Sequence, residues 1–342
     1  MQRRQIIATA PIRICDVGGW TDTWFAGHGA VCSLAVNPGV TVRIQLSARR
    51  SERQVIILDV QNYGETLRYP DETVRHPLLH AALACNPLPM HYDADICIHS
   101  EIPPGCSAGT SAAVSVALIG ALRAAHGINE SPERLAQAAH ALETEELRQQ
   151  SGIQDQIAAA YGGCVHITMP HYPTSSVRSV ELRRETADAL QNQLLLYYIG
   201  TPHLSTHIHQ QVIDRFVTIP DTQMLLEPLR RAAHAAAQAL QDDDLPGYGA
   251  ALQANTVAQR ALHPALICPA AEQLIAIAHS HGAYGCKVNG AGGDGGSVAV
   301  LMSPDPQQNR ACIAAIAAAL PQMTRLPITL APHGIQITES YE

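Results

Sequence analysis

Aromatic side chains make up only 4% of this 342-residue chain, with two Phe and two Trp, and charged residues only 15%. No apolar run approaches the roughly eighteen residues of a membrane span, so no spanning segment is expected. Basic residues form no tract and the formal net charge is −8, which excludes nucleic acid as the main partner. The nine cysteines lack the close paired spacing of a zinc site or a disulfide framework and read as reduced thiols. The seventeen histidines are equally scattered, and the nearest group, His203, His207 and His209, has no clear further ligand. Met1 to Ala8 include two arginines but no long apolar core behind them, so no secretory signal is expected. What these absences leave is a globular cytoplasmic protein with length enough for two domains.

The apolar residues that are present fall first into β-rich runs. Residues 6–14 read as a strand interrupted by Pro11, and 31–36 and 40–46 as strands joined by a turn at Asn37-Pro38-Gly39. Strands are also expected at 54–59 and 93–99, with a helix over 73–85 between them. Ser131-Pro132-Glu133 supplies an N-cap, a first-position proline and an early acid for a helix reaching about Gln150. A shorter helix starts near Asp155 and stops at Gly162-Gly163, ahead of a strand at 164–168. After the polar stretch 170–190 come strands at 194–199, 284–288, 298–302 and 334–339, and helices at 224–241, 266–281 and 307–319. The pattern is α+β, divided into residues 1–180 and 181–342.

Ile102 to Ala121 organises the chain: two prolines and glycines at 105 and 109 lead into Thr110, Ser111 and an alanine-rich helical run. Such a junction suits an anion, because the first backbone N–H groups of a helix have no intrahelical partner. Taken alone, the loop fits equally a turn capping a buried helix, and it lacks the Gly-Lys-Ser/Thr of the common P-loop. Farther along, glycines at 290, 292, 293, 295 and 296 require a tight loop. The two tryptophans, Trp20 and Trp24, flank Asp22, a carboxylate able to accept two hydroxyls beside aromatic faces suited to a sugar ring.

Three stretches, A-P-I-R-I-C-D-V-G-G-W-T-D (10–22), the loop above and K-V-N-G-A-G-G-D-G-G-S-V-A-V-L (287–301), together resemble the GHMP kinase superfamily. A fourth, S-G-I-Q-D-Q-I-A-A-A-Y-G-G (151–163), is similar to the Asp-Gln segment of its sugar kinases, and G-G-W-T-D-T looks most like the L-fucokinase and heptose 7-phosphate kinase branch. The resemblance implies an N-terminal mixed sheet with helices, a C-terminal ferredoxin-like sandwich and an active site in the cleft between them. It implies ATP and Mg2+, with the phosphates on Pro104, Gly105, Cys106, Ser107, Ala108, Gly109, Thr110 and Ser111. Asp155 would accept the acceptor proton and Arg13 would steady it, although an aspartate there also suits the cap of its helix. Ser111 and Glu143 would hold the metal, with Glu145 and Glu146 competing for the second place. The substrate would meet Gly19, Trp20, Thr21 and Asp22, with Gly292 and Gly293 bracing from the other domain.

The chain also departs from that pattern. Ser107-Ala108-Gly109-Thr110-Ser111 replaces Gly-Leu-Gly-Ser-Ser, Asp294 interrupts the last glycine loop, and His203 follows Ile199-Gly200 where an arginine and a serine are usual. Asp16 stands where a small or apolar residue is usual, and a carboxylate there repels phosphates unless it turns away or meets a cation. The expected function is phosphorylation of a free monosaccharide at its anomeric hydroxyl by a monomer or homodimer. A heptose 7-phosphate kinase and a non-catalytic regulator binding sugar and nucleotide are the alternatives.

Overall fold

The computed structural model describes residues 3–200, 206–218 and 222–341. The departure at Thr201 to Ser205, including His203, lies outside them, as do the side chains of His207 and His209. Strands β1 (Arg4–Val17), β2 (Gly29–Ala48), β3 (Ile56–Val60) and β4 (Glu65–Tyr69) precede helix α1 (Pro77–Cys85). Next come β5 (Tyr92–Ser100), α2 (Thr110–Ala125), α3 (Pro132–Ala141), a π-helical turn at Leu142–Glu146, α4 (Gln154–Tyr161), β6 (Cys164–His171) and β7 (Thr174–Ser179). The second half contains α5 (Arg184–Gln193), β8 (Leu194–Tyr198), α6 (Thr206–Thr218), α7 (Glu227–Gln241), α8 (Leu245–Leu262) and α9 (Pro269–Ser280). It ends with β9 (Ala283–Val288), β10 (Ser297–Met302), α10 (Pro306–Ala319), β11 (Thr324–Leu326), β12 (Thr329–Leu330) and β13 (Gln336–Tyr341).

Among the described residues nine strands form one mixed sheet, in the order β13-β1-β2-β5-β3-β4, with β6 and β12 also on β2 and β7 on β6. Only β3 with β5 is parallel. The second sheet runs β11-β8-β10-β9, antiparallel throughout. Numbered from β8, that order is 4-1-3-2, with helices after the first and third strands: the ferredoxin-like arrangement expected from the sequence. The two sheets are not separate in sequence. β12 and β13 return to the first sheet, and buried residues of α7 and α8 such as Ala236 and Leu252 belong to its core.

Two expectations are corrected. Asn37-Pro38-Gly39 does not reverse the chain: β2 is one continuous strand of 20 residues. Opposite it, Pro11 cannot donate to the ladder, and the pairing with β1 shifts register between Ala10 and Ile12. A Cβ on Gly39 would stand 2.1 Å from the Ala10 carbonyl, so glycine permits the close approach at this irregularity. The helix expected to reach Gln150 becomes π-helical at Leu142 and ends at Glu146. Helices α5, α6 and α8 and strands β4, β7, β11 and β12 have no counterpart among the elements expected from the sequence.

Candidate active site

Strand β1 brings Arg13 and Asp16 to one cleft. Residues three apart on a regular strand face opposite sides, but the register with β2 shifts between Ile14 and Val17 and Cys15 takes φ 54°. Both side chains therefore line a cleft of about 570 Å³, bordered by residues of the first half of the chain together with Gly290 and Ala291 from the second. Arg13 is 4% exposed. Its Nε donates to Asp155 Oδ1 at 2.8 Å and its Nη2 to Asp155 Oδ2 at 3.1 Å, while Nη1 donates to the Ser107 carbonyl. Burial alone would lower the guanidinium pKa, but the charges of Asp155 and Asp16 more than offset this and hold it above its ordinary value. Asp155, in the first turn of α4, keeps 27% of its side chain accessible and lines the cleft.

The loop ahead of α2 uses left-handed backbone at Gly105, Ser107 and Gly109, with φ of 78°, 56° and 72°. No side chain caps the helix that follows, so its leading N–H groups have no side-chain acceptor, and its first residues, Thr110 and Ser111, line the cleft. A Cβ on Gly109 would lie 3.3 Å from Arg13 Cγ and 3.4 Å from the Asp155 carboxyl, which places the ion pair against the helix start. The second sheet braces this loop: Ser297 Oγ donates to the Cys106 carbonyl at 2.7 Å and Tyr198 Oη to that of Pro104 at 3.3 Å. Asn289 Oδ1 accepts from the Cys15 amide at 2.9 Å, tying the last glycine loop to β1.

Asp22 also lines the cleft and is buried, and its Oδ2 accepts from the Gln154 amide at the start of α4 at 3.0 Å. Burial pushes its pKa up to about 6; the Gln154 bond pulls down, and the nearby Asp155 and Asp16 charges push up. Trp20 and Gln154 line the cleft as well. Trp24 is 43% exposed, bonded through Nε1 to Gln150 and edge-on to Phe25, away from the cleft lining.

Glu143 projects from the π-helical turn, 5% exposed, with Oε2 accepting from Ser151 Oγ and Gln156 Nε2, each at 2.9 Å. Its Oε1 is buried with no hydrogen-bond partner among the described residues. Burial pushes this carboxyl up to about 7, against the Ser151 hydrogen bond and with the Asp155 charge adding to it. An orphaned carboxylate oxygen in the same cleft as Ser111 is the environment a hard cation would fit. Such π-turns recur at functional sites because they redirect one side chain.

The remaining expected residues are placed as follows. Gly19 packs beneath Asp16 and Gln154, and Thr21 Oγ1 is bonded to the Gly18 and Ala30 carbonyls, so both shape the loop and do not line the cleft. Gly292 and Gly293 lean on Leu266, where the Gly293 amide donates to the Leu266 carbonyl at 3.0 Å. It is Gly290 and Ala291 that border the cleft. Asp294 is exposed and outside the lining, and Asp16 meets a cation, Lys287, at 3.3 Å. Lys287 and Gln154 both lie in the stretches that carry the resemblance, but a buried role for a long polar side chain leaves no mark in sequence.

One family model, GHMP kinases N terminal domain, matches residues 76–163, and a second, GHMP kinases C terminal, matches residues 236–322. The chain is a member of the GHMP kinases. GHMP kinases are ATP-dependent phosphotransferases acting on hydroxyl groups, and this one has their two-domain α+β fold. A mevalonate kinase of Pyrococcus horikoshii is 26% identical over 251 residues, 72% of this chain and 69% of its own. A galactokinase of Roseiflexus sp. is 25% identical over 334 residues, 86% of this chain and 83% of its own. The crystal structure of a D-glycero-D-manno-heptose 1-phosphate kinase from Bacteriodes thetaiotaomicron superposes with a TM-score of 0.73 at 17% identity, covering 100% of both chains. No helix among the described residues of this GHMP kinase is long and apolar enough to cross a membrane.

Proposed function

We propose that this GHMP kinase is a magnesium- and ATP-dependent sugar kinase that phosphorylates a free monosaccharide at its anomeric hydroxyl, in the cytoplasm, as a monomer or homodimer. The observation that carries the reading is the Arg13–Asp155 pair standing against the first turn of α2. In this reading residues 1–180 carry the reacting groups and residues 181–342 brace them. The triphosphate lies along Pro104 to Ser111, where helix N–H groups and left-handed backbone can approach its oxygens. Asp155 takes the proton of the acceptor hydroxyl as that oxygen bonds to the γ-phosphorus and the bond to ADP breaks, the electron pair leaving with ADP. Arg13 holds Asp155 in place and lies close enough to steady the transferring group. Ser111 Oγ and Glu143 would hold magnesium, which neutralises phosphate charge when bound.

Asp22 and Trp20 would meet the sugar, Asp22 through the oxygen that Gln154 leaves free. Every arginine and the lysine of the chain lie within the described residues, and the arginines lining the cleft are Arg13, engaged by Asp155, and Arg75, just before α1. An acceptor end bordered by Asp22, Gln149, Gln150 and Gln154 favours an uncharged sugar over one that already bears phosphate. ADP release with a panel of free sugars and sugar phosphates tests this, followed by NMR of the product to locate the ester. Turnover confined to sugar phosphates would make it a kinase of the heptose 7-phosphate type. Binding of sugar and nucleotide with no ADP formed would make it a regulator.

A further inference from the structure

Lys287 is the only lysine in the chain; every other residue of fixed positive charge is an arginine. It lies on β9, 1% exposed, and all three ammonium donors are used: on Asp16 Oδ1 at 3.3 Å, on Gln259 Oε1 at 3.2 Å and on the Val288 carbonyl. The two side-chain partners in turn hold Gly290 from both sides. The Gly290 amide donates to both Asp16 oxygens at 3.1 Å, and its carbonyl accepts from Gln259 Nε2 at 3.3 Å. A Cβ on Gly290 would stand 2.9 Å from the Ser107 carbonyl and 3.3 Å from Arg13 Nη2, so the residue clamped by this ring rests on the phosphate loop and on the guanidinium. A compact ammonium can serve three convergent acceptors here, whereas a planar guanidinium cannot.

The ring also settles a competition. Asp16 and Asp155 both attract Arg13, and a buried carboxylate without a cation is costly enough to recruit the next one in reach. We propose that Lys287 is a positioning residue for phosphoryl transfer: by neutralising Asp16 and anchoring Gly290, it keeps the Arg13 guanidinium on Asp155. The inference rests on Arg13 and Asp155 being the reacting pair of the proposed kinase.

The test compares Lys287→Met, the double variant Asp16→Asn/Lys287→Met and Asp155→Asn, using the sugar that the panel identifies. Methionine keeps the length of lysine without its charge, and asparagine keeps an oxygen for the Gly290 amide. Lys287→Met is expected to lose about 100-fold in kcat with the KM for ATP little changed, as for a misplaced reacting group. Its crystal structure should show Arg13 turned from Asp155 to Asp16, and the double variant should regain most of the lost kcat. Parental kcat in Lys287→Met, a double variant as impaired as the single one, or Arg13 still on Asp155 would each overturn the role of Lys287. Should Lys287→Met not fold, Lys287→Gln is read in the same way. Normal turnover by Asp155→Asn would instead remove the underlying reading of the site.

Discussion

Two carboxylates flank the start of α4, and their surroundings give them different work. Asp155 has both oxygens on Arg13 and a partly open side chain. Asp155→Asn keeps the shape of the pair and is expected to bind ATP and acceptor nearly as before, while turnover falls by about 10²–10⁴-fold, the usual worth of a proton acceptor. Calorimetric titration beside ADP release checks this; turnover within about tenfold of the parent would take Asp155 out of the mechanism. Asp22 is closed in, its pKa pushed up from 3.8 to about 6 mainly by burial. Because the folded chain holds that proton more tightly than the unfolded one, Asp22 costs nothing below 3.8 and progressively destabilises the fold as pH rises towards 6. Asp22→Asn retains an acceptor for the Gln154 amide and removes that cost. It should therefore be more stable than the parent at pH 7 by about 1–3 kcal/mol more than at pH 4, with a raised KM for the acceptor if Asp22 meets it as proposed. Urea unfolding of both proteins at the two pH values measures the difference, and the same difference at both would show that burial does not perturb Asp22.

At the scale of elements, the start of α2 is where backbone conformation and chemistry meet. Gly109 takes φ 72°, a region that costs other residues about 1–2 kcal/mol, and an added methyl would press on both Arg13 and Asp155. If Arg13 and Asp155 act as proposed, Gly109→Ala is expected to lower stability by about 1 kcal/mol and kcat by at least about tenfold, because the ion pair shifts with the loop. Melting temperature and kcat are read together, and a destabilised variant of unchanged kcat would show that the loop does not set the position of the pair. The same glycines made this loop legible in the sequence, since only a tight loop tolerates them between a strand and an apolar helix. Helix α8 was hidden by the same residue type. The proline and two glycines of Leu245-Pro246-Gly247-Tyr248-Gly249 weigh against a helix by propensity, yet Pro246 sits at the helix start, and Asp244 caps it by accepting from the Gly247 amide at 2.9 Å. Gly249 is needed for packing, since a Cβ there would stand 2.4 Å from Tyr284 Cβ, and a Cβ on Gly285 would lie 1.9 Å from the Gly249 carbonyl, so α8 and β9 meet backbone to backbone. Within the site, the approach of Arg13 to Asp155 was implied by family resemblance, though the two lie 142 residues apart. The partnership of Asp16 with Lys287 did not, because nothing local distinguishes a buried ion pair from two separate surface charges.

The whole molecule is closed by its last strand. β13 pairs with β1 from Arg4 to Thr9, so the strand that carries Arg13 and Asp16 is held on one side by β2 and on the other by the far end of the chain. The return is written into α2 as well. Gly120 lies in mid-helix, where a Cβ would stand 2.6 Å from Ile335 Cδ1 and 3.1 Å from Ile337 Cδ1, so the helix keeps a groove for these two side chains. Arg4 completes the closure by bonding the Ala124 and Ala125 carbonyls at the end of α2 together with the Glu339 carboxylate. A chain ending at Gly334 retains every residue assigned to phosphoryl transfer but opens the edge of β1 and empties the groove. It is expected to lose about 2–4 kcal/mol from the two half-buried isoleucines alone and to associate through the exposed edge. Denaturant midpoints and size-exclusion profiles of the two lengths compare them directly. If the shortened chain keeps the parental midpoint and elution volume, β13 is an appendage; if both shift, the active-site strand depends on residues at the opposite end of the sequence.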